Sequence, residues 1–183
     1  MSRIRIPTSV EAAPAASQPL LEAVRQQLGA TPNLFLLMAT SPVSLEGHLG
    51  LFSALAKGKL SVQTRNRIAL AVAEVNGCDY CLSAHTYLGQ SLAKLSDAEM
   101  EANRDGRSQD PKANAAVHFA AMVARERGNV SGKDVEAVRA AGYDDGEIVE
   151  IILHVALNSW TNYLNKVADT EIDFPLVKAR QAA

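Results

Sequence analysis

Apolar residues in this chain recur mostly at three- and four-residue intervals, the period of a helix rather than of a strand. Gln18 to Leu28 is the first such run, and Gly29 closes it. Thr31 with Pro32, and Ser41 with Pro42, each pair a capping residue with the proline favoured at a first helical position. Leu34, Leu37 and Met38 follow the first pair. Leu45, Leu49, Phe52 and Leu55 follow the second, up to Gly58. Ser61 is placed to cap a helix in which Ile68, Leu70, Ala71, Val72 and Val75 are apolar on nearly every face, which predicts a central, buried element. Asn76-Gly77 is a strong breaker, and a new helix is expected from about Cys78 through His85 to Leu88. Ser96 caps the short SDAEMEAN segment, and RDGRSQD reads as a polar loop. Asp110-Pro111 opens a helix through Val117, Phe119, Met122 and Val123 to Gly128. Ser131 with Asp134 resembles a capping box for a helix ending near Gly142. A last long helix is expected from about Asp145 to Ala168, its core side carrying Ile148, Ile151, Ile152, Val155, Leu164 and Val167. EIDFPLV reads as extended chain before Lys178.

No alternating strand of useful length and no glycine-rich phosphate loop interrupts this pattern, so the fold class is all-α. Residues 1–16 read as a loose lead-in and 17–183 as a single helical domain. VAEVN at 72–76 and VALN at 155–158, each late in an apolar helix, point to two related helical hairpins. Aromatic residues make up only 5%, while alanine is abundant, which favours close helix packing. The net charge of −2 excludes electrostatic binding of nucleic acid or of an acidic membrane surface as the main function. No apolar run approaches the roughly 20 residues of a membrane span. Met1 to Pro7 holds two arginines with no apolar segment behind them, so no secretory signal is expected and the cytoplasm is the expected compartment.

The two cysteines, Cys78 and Cys81, are three residues apart and cannot staple distant segments. In a reducing compartment such a pair reads as redox or metal chemistry. At i and i+3 their Cα atoms would lie about 5 to 6 Å apart, inside the window for a disulfide. His85 follows Cys81 by four residues, so its ring can approach the Cys81 sulfur directly or through one water. The Asn76-Gly77 break puts both cysteines in a first helical turn, where unpaired N–H groups favour a thiolate. Glu74 is a candidate proton relay, in one stripe with Cys78, Cys81 and His85 if the helix is continuous, or on a preceding helix end if it breaks at Gly77. A surface carboxylate is the bland reading of Glu74. Zinc held by Cys78, Cys81 and His85 competes with the redox reading, but a structural site wants a fourth ligand. Two inert buried cysteines are the remaining possibility. His48, His118 and His154 read as packing residues, and Asn158, Asn162 and Asn165 as hydrogen-bonding residues toward a neighbouring helix or subunit.

The segment LAVAEVNGCDYCLSAH, Leu70 to His85, resembles the alkylhydroperoxidase D-like branch of the carboxymuconolactone decarboxylase family. PNLFLLMATSP and NKVADTEIDFP are similar to segments of its peroxidase-related members, so the likeness spans about Pro32 to Pro175. The resemblance implies a helical fold assembling into trimers or hexamers, a hydroperoxide substrate, an outside dithiol reductant and no cofactor. It also implies that Cys81 attacks peroxide, Cys78 resolves it, and His85 serves a proton relay. Two positions depart from the pattern. Asn66 stands where a glutamate is common, and Tyr80 where the best-studied members have histidine. Neither can replace an ionised relay group at neutral pH. Glu74 is the expected substitute carboxylate.

A thiol peroxidase is therefore the leading functional expectation. The alternatives are a redox-sensing or metal-binding helical module without turnover, and a lactone decarboxylase of the namesake branch. That branch does not depend on a cysteine pair, and this chain retains one.

Overall fold

A computed structural model describes residues 2–180. They form nine α-helices, with no strand among the described residues: α1 (Gln18–Leu28), α2 (Asn33–Met38), α3 (Pro42–Leu55), α4 (Val62–Val75), α5 (Asp79–Ser91), α6 (Asp97–Arg104), α7 (Pro111–Arg125), α8 (Gly132–Ala140) and α9 (Asp145–Ala168). The caps explain most of the boundaries. Side chains of Ser61, Ser96, Asp110, Ser131 and Asp144 each accept a backbone N–H three residues on, which satisfies a donor the helix cannot use internally. Ser131 with Asp134, and Asp144 with Glu147, are full reciprocal capping boxes. Pro32 is itself the N-cap of α2, one position later than the Thr31 signal implied.

α4 is the hub, packed by α5, α6, α7 and α9. Ile68, Leu70, Ala71 and Val72 are fully buried, and burial of each large side chain contributes about 1.5–3 kcal/mol. Ile68 and Val72 meet Phe119 of α7, Val138 of α8 and Ile151 of α9. A second cluster joins Leu21, Leu36, Met38 and Leu45 to Trp160 and Leu164. Ile6, Val10 and Ala13 of the lead-in pack there too. A third cluster surrounds the cysteines, with Leu70, Leu82, Leu95 and Met100.

The core side expected for α9 needs correction. Ile148, Ile151 and Val155 are buried, but Ile152 is 43% and Val167 62% exposed, beside exposed Val149 and Leu153. A straight helix of this length drifts in phase, and its apolar residues outnumber the positions that α4 and α7 can cover. His118 is exposed rather than packed. VALN lies mid-way along α9, whereas VAEVN ends at the C-cap of α4. No helix among the described residues is long and apolar enough to cross a membrane.

EIDFPLV has no regular structure and crosses α5 as a strap. Val177 N–H donates to Ser83 Oγ at 2.9 Å and Ala179 N–H to Asp79 Oδ1 at 2.8 Å. Phe174 meets the rings of Tyr80 and Tyr87.

Candidate active site

The site grows out of the way α4 ends. Gly77 N–H donates to Glu74 O at 3.1 Å and Cys78 N–H to Ala73 O at 3.0 Å. This paired closure needs a left-handed residue at its turn, and Gly77, with φ +62°, supplies it. The chain then enters α5 at once, with Cys78 as its N-cap and Cys81 in its first turn. Cys78 Sγ accepts the Cys81 N–H at 3.2 Å. The two sulfurs are joined as a disulfide, with Cα atoms 5.3 Å apart, as the spacing predicts. Both residues are buried.

α9 supplies a polar face that clamps this junction. Asn162 Oδ1 accepts from Asn76 Nδ2 at 2.9 Å, and Lys166 Nζ donates to Asn76 O at 2.7 Å. Asn165 Nδ2 donates to Cys81 Sγ at 3.4 Å. The sequence alone presents Asn165 only as a hydrogen-bonding residue. Its recurrence with Asn158 and Asn162 on one helix was the signal, but nothing in the sequence named the sulfur as its partner.

His85 lies one turn beyond Cys81. Its Nδ1 is 3.4 Å from Asn66 Oδ1, and Asn66 Nδ2 donates to the His85 carbonyl at 3.1 Å. The position where the resemblance leads one to expect glutamate thus does face the histidine. Burial pushes the His85 pKa down to about 4, although the residue as a whole is half-buried. The imidazole is therefore neutral at pH 7, and the same burial makes it a weaker base than a free histidine. Tyr80 points elsewhere: its hydroxyl accepts the Leu34 N–H at 3.1 Å, and burial raises its pKa far above the ordinary tyrosine value.

The helix break leaves Glu74 on α4, out of line with the α5 residues. Arg104 Nε donates to its Oε2 at 2.6 Å, and Arg180 N–H to its Oε1 at 2.6 Å. Arg104 also donates to Lys178 O at 2.8 Å, so this pair pins the strap beside the cysteines. Sequence reading missed Arg104. It also missed Glu99, a buried carboxylate that accepts from Arg67, Asn103, Ser108 and the Gln109 N–H. Burial alone would raise the Glu99 pKa, but these hydrogen bonds outweigh it and hold the group at about 2. Among the described residues, no three or more His, Cys, Asp or Glu side chains converge as a metal site would require.

Residues 48–122, from His48 on α3 to Met122 on α7, match the model of the carboxymuconolactone decarboxylase family. This stretch is similar to a carboxymuconolactone decarboxylase family domain. It contains α4, α5, both cysteines, His85 and Asn66. No curated protein matches the chain by sequence. Among solved structures, the chain is similar to a peroxidase-related protein with an alkylhydroperoxidase AhpD core from Ralstonia eutropha JMP134. The TM-score is 0.83 at 24% identity, covering 94% of this chain and 92% of the other. A peroxidase-related protein from Silicibacter sp. TM1040 gives 0.81 at 23% identity, covering 93% and 91%. The debrominase Bmp8, crystallised as a cysteine-to-alanine variant with 2,3,4-tribromopyrrole, gives 0.79 at 21% identity, covering 94% of each chain. These likenesses establish the AhpD-like helical fold around the family domain. The relatives on it include more than one chemistry.

Proposed function

We propose that the chain is a thiol-dependent hydroperoxidase cycling through the Cys78–Cys81 disulfide. The observation that carries the reading is the disulfide at the start of α5, with a neutral histidine one turn beyond Cys81. In the reduced protein, His85 takes the Cys81 thiol proton. The thiolate attacks one peroxide oxygen, the O–O bond breaks, and the leaving alkoxide takes a proton to become an alcohol. Cys81 is left as a sulfenic acid. The Cys78 thiol displaces its hydroxyl as water, forming the disulfide, and an outside dithiol restores both thiols while becoming a disulfide itself. The sum is hydroperoxide plus dithiol giving alcohol, water and oxidised dithiol. A reducing compartment such as the cytoplasm suits this cycle.

Glu74 enters as the carboxylate that ends α4. Glu74→Gln decides its place: a lower rate in folded enzyme whose strap stays as trypsin-resistant as in wild type assigns it to the relay, and an unchanged rate leaves it to the ion pair with Arg104. Self-association belongs to the same proposal. Val43 of α3 and Val149, Ile152, Tyr163 and Val167 of α9 are all exposed, and a second copy of the chain would take such surface out of water. Light scattering at micromolar concentration is expected to give a multiple of the chain mass, and a monomer would refute it.

The deciding experiment is turnover of alkyl hydroperoxides, hydrogen peroxide and a brominated pyrrole, each with a supplied dithiol, by wild type and Cys81→Ser. Peroxide turnover lost in Cys81→Ser supports the proposal. Turnover of the bromopyrrole alone would move the chain to the debrominase's chemistry.

A further inference from the structure

We propose that Asn165 is a further catalytic residue, whose carboxamide N–H holds the Cys81 sulfur as a thiolate when the disulfide is reduced. The assignment deepens the hydroperoxidase reading and rests on it. Asn165 is 3% exposed, and its Nδ2 lies 3.4 Å from Cys81 Sγ. A buried amide that gives its donor to sulfur is poorly used unless that sulfur carries charge, because hydrogen bonds to ions are the strong ones.

The neighbours on α9 sharpen the point. Asn162 bonds Asn76 through its Oδ1, although its Nδ2 is buried without a partner, and Asn158 Nδ2 donates to the His154 carbonyl at 2.7 Å, so neither touches the sulfur. Asn165 bonds only the cysteine through its side chain, and its Oδ1 is buried without a partner. An unsatisfied buried acceptor costs stability and calls for an explanation. The sulfenic acid formed on Cys81 carries an S–OH donor that this free acceptor can take.

The helix also holds Asn165 in place. Its carbonyl accepts the Asp169 and Thr170 N–H groups, with Asp169 in the left-handed conformation that closes α9. Lys166, the next residue, is tied to Asn76 O. The ionisable groups on the elements around Cys81 are Cys78, Asp79, Tyr80 and His85 on or beside α5, Lys166 on α9, the Glu74–Arg104 pair of α4 and α6, and Glu171, Asp173, Lys178 and Arg180 on the strap that packs against the cysteine cluster. Burial keeps His85 and Tyr80 neutral at pH 7. Lys166 is committed to a carbonyl, and Glu74 to Arg104. The Asn165 amide is thus the side-chain donor in contact with the sulfur.

The test is the pH dependence of iodoacetamide alkylation of Cys81 in the full-length chain. A Cys78→Ser background leaves Cys81 as the single thiol. Removing one hydrogen bond to a charged group by Asn165→Ala is expected to raise the alkylation midpoint by about one pH unit and to slow alkylation at pH 7 by up to about tenfold. Asn165→Asp keeps the shape, guards against a packing failure, and is expected to raise the midpoint further by placing a carboxylate at the thiolate. An unchanged midpoint in Asn165→Ala overturns the proposal, whatever Asn165→Asp does, because a carboxylate repels the thiolate with or without a lost hydrogen bond. So does a lowered midpoint in Asn165→Ala, which would mean that the carboxamide accepts from the thiol instead of donating to the thiolate. Alkylation needs no peroxide, so wild-type protein that fails to turn over peroxide while the midpoint shifts would sink the hydroperoxidase reading and keep the assignment to Asn165.

Discussion

Replacing Glu74 by glutamine removes the buried carboxylate of its pair with Arg104 and leaves that arginine only the exposed Glu101 as an ionic partner. The Glu74 and Arg104 side chains are 9% and 8% exposed, so neither charge is rescued by water. Glutamine keeps the shape but offers one acceptor and one donor where the carboxylate offered two acceptors. Its amide must face either the Arg104 Nε–H or the Arg180 N–H, donor against donor. Breaking a buried pair from one side costs about 3–5 kcal/mol. For a chain of this length each kcal/mol moves Tm by about 2–4 °C, giving a fall of roughly 6–20 °C. Thermal unfolding followed by far-ultraviolet circular dichroism measures it. Trypsin cleavage at Lys178, faster in the variant, reports loosening of the strap that Arg104 and Arg180 hold. Glu101→Gln is the control, because Glu101 touches the same arginine but is 57% exposed, and its loss is expected to cost about 1 kcal/mol or less. A Glu74→Gln variant with the control's Tm would refute the reasoning.

Three further outcomes are expected. His85→Ala should leave the fold intact and slow peroxide consumption by roughly a hundredfold at pH 7, the scale of a lost general base; with a pKa of about 4, the His85-dependent rate should hold as pH falls from 7 to 5. Glu99→Gln, measured by urea unfolding, should destabilise by about 3–5 kcal/mol, because Arg67 loses its buried partner. His48 lies buried among Phe35, Phe52 and Trp160, and burial lowers its pKa to about 4. The unfolded chain therefore binds this proton first, so the His48 contribution to stability should fall by about 3 kcal/mol as pH drops from 6.5 to 4 and then level off, alongside similar contributions from His85 and His154, whose pKa values burial also lowers to about 4. His48→Phe should flatten part of that decline in urea unfolding at stepped pH.

The helices were legible where local chemistry dictates a boundary. Ser61, Ser96, Asp110 and the 131/134 pair all cap where their side chains said they would, and Asn76-Gly77 ends α4 as its left-handed requirement demands. The geometry of the cysteine pair was equally local, since three residues of spacing determine the Cα separation. Contacts made across the fold were not legible. Asn165 and Cys81 are 84 positions apart, and Glu74 reaches Arg104 and Arg180 over 30 and 106. No periodicity encodes such pairs. The outward apolar residues of α9 were misplaced because composition alone cannot tell which of several apolar faces the chain itself covers. Asn66 is instructive in the other direction: it was singled out as a departure from a family pattern, and it does sit on the His85 ring.

The central claim is that Cys81 attacks and Cys78 resolves. Its most direct test is one equivalent of alkyl hydroperoxide added to reduced Cys78→Ser and reduced Cys81→Ser, with dimedone present and the intact masses read out. The account predicts one dimedone adduct on Cys81 and one alcohol released per chain in Cys78→Ser, and neither in Cys81→Ser. An adduct formed on Cys78 in the Cys81→Ser protein, with Cys78→Ser silent, would contradict it.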